Sequence, residues 1–102
     1  MAVGDHERVS FLGRPLPAGF VARSVPIGVG GQLPFDGSEW ADALVIVEVG
    51  QVELEGVDGS RARFASGAVL YLDRLPLRLL RNPGPTIAVL VGVSRRRGRA
   101  TS

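Results

Sequence analysis

His6 is the only histidine among the 102 residues, and the chain holds neither cysteine nor lysine. Without cysteine there is no disulfide framework, no thiolate metal site and no thiol nucleophile. Without lysine the glycine-rich stretch Gly28-Val29-Gly30-Gly31 is no P-loop, and no helix-forming run follows it as a dinucleotide fingerprint requires. It reads as a loop with glycine-permitted angles. Ser38 and Ser66 each stand beside a glycine, yet neither lies in the Gly-x-Ser-x-Gly elbow that would present a nucleophile to His6 and an acid. Asp36, Glu39 and Asp42 carry the oxygen ligands a hard cation takes, but a solvated acidic loop is the plainer expectation.

All twelve basic residues are arginines, and four of them close the chain as Arg95, Arg96, Arg97 and Arg99. Residues 1–94 keep eight arginines against ten acids, so the body is mildly acidic and the tail basic. The tail could touch a phosphate backbone. No aromatic residue is interleaved with its arginines for base stacking, so nucleic acid is not an expected partner and residues 95–102 read as a disordered, solubilising tail.

At this length the chain is one domain, residues 1–94, with an ordinary globular balance of 45% hydrophobic and 22% charged residues. The first ten residues, MAVGDHERVS, lack an apolar h-region, and the longest apolar runs fall far short of the roughly 18 residues that span a bilayer. A cytoplasmic protein with no membrane partner is therefore expected.

Fourteen glycines and seven prolines break every candidate helical period, so helix should be scarce. Alternation is clearest in 51–55, where Gln51, Glu53 and Glu55 share a wet face opposite Val52 and Leu54, and in 61–64, where Arg61 and Arg63 oppose Ala62 and Phe64. Between them, Gly56-Val57-Asp58-Gly59 supplies an Asp-Gly pair suited to a tight hairpin. Leu44–Val49 and Ile87–Val93 are almost wholly apolar and β-branched and read as strands covered on both sides, with Glu48 the exception. Residues 20–29 read as a strand that Pro26 confines to an edge or a bulge, and 28–40 are expected as loop.

The passage Val47-Glu48-Val49-Gly50-Gln51-Val52-Glu53-Leu54 and the stretch from Gly67 to Asn82 resemble the two sequence motifs of the cupin superfamily. The resemblance spans 33–94 and implies an all-β fold, an antiparallel cupin-like β-barrel (a jelly roll, or double-stranded β-helix), with a homodimer suited by its apolar strands. In the second motif Gly67 and Asn82 match. Asp73, Leu75 and Arg78 occupy the proline, glycine and histidine positions. In the first, the glutamate falls on Ala43, and the histidines fall on Asp36 and Ser38 or on Gly37 and Glu39. A transition-metal site needs converging imidazoles and a carboxylate; none of the matched positions is histidine, so no metal and no cofactor is expected.

If Arg78 points inward as the family histidine does, its planar fork would suit a carboxylate or phosphate ligand, with Tyr71 and Trp40 as walls and Asp73 nearby. The plainer reading pairs Arg78 with Asp73 or Glu48, or lets it snorkel to the barrel mouth. Two functions follow. The first is a metal-free, non-catalytic barrel that binds a small acidic ligand or self-associates. The alternative is a small isomerase or cyclase using Arg78 as electrostatic stabiliser with Glu48, Asp73 or Tyr71 as acid–base partner.

Overall fold

The computed structural model describes residues 16–95. Eight strands fill most of that span: β1 (Phe20–Ile27), β2 (Gln32–Pro34), β3 (Leu44–Val49), β4 (Gln51–Gly56), β5 (Arg61–Ala65), β6 (Val69–Tyr71), β7 (Leu77–Arg81) and β8 (Ala88–Arg95). One helical turn, α1 (Gly37–Trp40), interrupts them. The strands form two antiparallel four-stranded sheets, ordered β1-β8-β3-β6 and β2-β7-β4-β5. The chain is therefore all-β. The closed wall expected from the sequence is replaced by two open sheets with four free edges, β1, β6, β2 and β5.

Alternation places one face of each sheet inward. Val45, Val47, Ala88, Leu90 and Ile27 from the first sheet meet Val52, Leu54 and Leu80 from the second, and Trp40 and Leu72 complete this core. Pro26 sits on edge strand β1, as its missing N–H requires. Asp58 accepts from the Ser60 amide at 2.9 Å and Gly59 adopts φ 88°, which closes the β4–β5 hairpin expected from the Asp-Gly pair. Gly50 turns β3 into β4 at φ 76°, and a Cβ there would run into the Ile87 carbonyl oxygen.

Two expectations need correction. Residues 28–40 are more than loop, since Leu33 packs on the core within β2 and Asp36 caps α1 by accepting from the Ser38 amide at 3.0 Å. The supposed wet face of β4 is covered as well, because Glu53 and Glu55 are only 6% and 4% exposed. The cover is supplied by arginines on the two neighbouring strands.

The outer faces of the two sheets differ in character. On the first sheet the register lines up Ser24, Val91, Ile46 and Val69 across all four strands, and beside them Ala22, Val93, Leu44 and Tyr71. Neither row contains a charge. On the second sheet one row reads Gln32, Arg81, Glu53 and Arg63, and the next sets Leu79, Glu55 and Arg61 side by side.

Candidate functional site

The second sheet's outer face is built from the hairpin register. Glu53 lies opposite Arg63 and Glu55 opposite Arg61 on β5, while Arg81 of β7 lies opposite Glu53 from the other side. Arg78 joins them for a separate reason. The β4–β7 ladder shifts register between Glu55 and Gly56, which leaves Arg78 as the extra residue between Leu77 and Leu79. Such a bulge re-aims its side chain, and Arg78 turns onto the Glu55 carboxylate.

Each buried carboxylate is thus shared among guanidiniums. Arg63 Nε donates to Glu53 Oε2 at 3.2 Å and Arg81 Nη1 to Glu53 Oε1 at 3.1 Å. Arg81 Nη2 donates to Glu55 Oε1 at 3.2 Å, Arg61 Nε lies 3.6 Å from the same oxygen, and Arg78 holds Oε2. Arg81 also donates to Gln32 Oε1 at 3.3 and 3.4 Å and is the least exposed of the four, at 26%. Burying a carboxylate is costly unless it is paired and hydrogen-bonded, and these contacts supply both. The Arg78 guanidinium beside Glu55 holds its carboxyl below the usual glutamate range against the opposing effect of desolvation.

The arrangement carries a surplus of cation, with four guanidiniums over two carboxylates. Arg61, Arg63 and Arg78 keep 57%, 64% and 56% of their side chains in solvent. Arg61 and Arg63 approach their carboxylates through Nε, the inner corner of the fork. Beside them a depression of about 320 Å³ is lined by Gln32, Leu33, Pro34, Arg78 and Leu79. Chemically this is a face for anionic oxygens, with the arginines held in place by the acids beneath them.

The residues singled out from the sequence are dispersed. Arg78 lies on the outside of the second sheet, pairing with Glu55, which the sequence reading did not name as a partner. Tyr71 is on β6, at the edge of the other sheet, where its hydroxyl donates to Asp73 Oδ2 at 3.1 Å. That bond holds the Tyr71 hydroxyl proton on, raising its pKa. Trp40 is buried in the core under the guanidinium of Arg23, 4.9 Å from the ring centroid. Arg23 also donates to the Glu39 carbonyl oxygen at 3.3 Å, and a cleft of about 270 Å³ opens there between β1, β2 and α1. Of the named set, only Tyr71 and Asp73 meet.

Of the positions laid on the family's metal ligands, Asp36 and Ser38 meet each other, while Ala43 and Arg78 lie elsewhere in the fold. Asp36 is occupied with Ser38, whose hydroxyl donates at 2.7 Å and whose amide donates as well, which lowers the Asp36 pKa. Ala43 is in the core. Among the described residues no group of three or more His, Cys, Asp or Glu side chains is placed to hold a metal ion. His6 and the arginines after Arg95 lie outside the described residues. No described helix is long and apolar enough to cross a membrane. The chain matches no protein-family model and no curated protein.

Proposed function

We propose that the chain is a jelly roll of the cupin type that works by binding a small acidic ligand, without a resident metal and without catalysis. The fold part of this reading is supported by the strand order 1-8-3-6 over 2-7-4-5, in which every consecutive pair of strands except the β4–β5 hairpin crosses between sheets, in the manner of an eight-stranded double-sheet jelly roll. The binding part is carried by one observation: three guanidiniums more than half exposed are anchored over two buried carboxylates on an open sheet face. In this reading Arg78 works from the outside of the sandwich, beside Arg61 and Arg63.

The test is a thermal-shift series with carboxylates at matched ionic strength, run on the wild type, Arg78→Ala and Arg63→Ala. A carboxylate that raises Tm in the wild type and does so less in each variant supports the reading. Equal shifts in all three proteins remove these arginines from the site.

A second reading, self-association as a homodimer, is favoured by the two charge-free rows in the middle of the first sheet's outer face, where Leu44, Val69 and Tyr71 are each about half exposed. A two-fold interface needs a patch complementary to itself, and apolar rows meet their own copy without burying an unpaired ion, with Arg95 and Asp42 left at the rim. Sedimentation analysis of the wild type and Leu44→Glu tests it. A dimer that the substitution converts to monomer is the expected result, and a wild-type monomer at high micromolar concentration overturns it.

A further inference from the structure

The arginine face also specifies how many anionic groups a ligand must carry, an inference that rests on the acidic-ligand reading above. Arg61 and Arg63 alternate on β5 and so project from the same face about 7 Å apart. Each stands opposite its own carboxylate, Glu55 and Glu53 respectively, so the face is divided into two rows. One row is Arg63–Glu53–Arg81. The other is Arg61–Glu55–Arg78, completed by the bulge on β7.

Arg81 ties the rows together. It reaches Glu53 at 3.1 Å, Glu55 at 3.2 Å and Gln32 at 3.3 Å, so its donors are committed within the protein. Arg61 and Arg63 are differently placed, because each meets its carboxylate through Nε and is more than half exposed. A guanidinium has five N–H donors in a fixed fork, and the remaining ones on these two residues, with Arg78 assisting in the Arg61 row, are the face's capacity for a ligand. Every row holds two guanidiniums and one carboxylate, leaving one positive charge per row. A single anionic group therefore satisfies one row and leaves the other unbalanced.

We propose that this face selects small molecules bearing two anionic oxygen groups, one for Arg61 and one for Arg63, separated by roughly the two-residue repeat of a β-strand. Linking the groups makes the second contact intramolecular, which raises affinity without any new kind of contact. Carboxylates and phosphates share the chemistry, since both match the guanidinium fork.

Isothermal titration at fixed ionic strength tests this with acetate, the dicarboxylates from succinate to suberate, and tripolyphosphate. The dicarboxylates should bind at least tenfold tighter than acetate, with an optimum at one chain length. Arg61→Gln and Arg63→Gln should each bring the best dicarboxylate down to the level of acetate while leaving acetate bound through the other row. Circular dichroism verifies that these exposed positions leave the fold intact. If tripolyphosphate also binds tightly and loses its advantage in each variant, the two-group rule holds with phosphate as a source. If only dicarboxylates do so, it holds with carboxylate. Acetate binding as tightly as every dicarboxylate would overturn the two-group rule and leave the acidic-ligand reading standing. No binding by any of these acids would overturn both.

Discussion

The side-chain amide of Asn82 donates to the backbone carbonyl oxygen of Ile27 at 2.9 Å, joining residues 55 positions apart. The same amide reaches Gly28 O at 3.2 Å and Thr86 O at 2.8 Å, and Asn82 Oδ1 accepts from the Gly84 amide at 2.9 Å. One buried side chain, 1% exposed, thus ties the end of β7 to the end of β1 and shapes the turn before β8. Asn82→Ala withdraws this donor from all three carbonyls, of which Gly28 O keeps the Gly31 amide at 2.8 Å, and should cost about 2 kcal/mol in urea unfolding. In Asn82→Asp a carboxylate faces three carbonyl oxygens. Its folded pKa should be raised, so the destabilisation should grow as pH rises.

Gly50→Ala should be among the most damaging single substitutions. It combines a left-handed backbone with a Cβ driven into the Ile87 carbonyl. The expected loss exceeds about 2 kcal/mol, read as a drop in Tm of roughly 8 °C or more for a domain of this size.

Acid stability should depend on the Arg78–Glu55 pair. The folded Glu55 carboxyl titrates below the ordinary glutamate value of about 4.3. Its contribution is therefore fully present above that value and is lost as pH falls through the lower folded pKa. Arg78→Gln removes the largest cause of the lowering. The acid-unfolding midpoint, followed by circular dichroism from pH 7 downward, should move to higher pH, and an unmoved midpoint would deny the pair this role.

Arg81 and Arg63 should differ in what they contribute to stability. Arg81→Met withdraws donors from both buried carboxylates and should cost about 2 kcal/mol. Arg63→Met removes one largely exposed ion pair and should cost less than about 1 kcal/mol. Chemical denaturation of the two variants decides the order.

Elemental analysis of purified protein should find no stoichiometric Zn, Fe, Mn or Ni. One equivalent per chain would end the metal-free reading.

Much of the fold was legible because its signals are local. The Asp58-Gly59 turn, the alternation on either side of it and the confinement of Pro26 to an edge all concern neighbours in sequence. The site was partly within reach. A hairpin centred on that turn sets Glu53 opposite Arg63 and Glu55 opposite Arg61, a pairing that the sequence analysis stopped short of drawing. Arg78 was named, but its direction depends on a register shift in β7, which one strand's sequence does not reveal. The burial of Glu53 and Glu55 was missed for a related reason: their cover comes partly from Arg81, which only the pairing of β7 with β4 brings alongside. The three residues of β2 and the single turn of α1 were too short to show a period.

The two outer surfaces of the sandwich lie back to back, one with an apolar middle and one lined with guanidinium. Two copies meeting through the apolar side would carry their cationic plates at opposite poles. If both proposals hold, such a particle would be bivalent, able to bridge two separate anionic molecules and unable to wrap both plates around one.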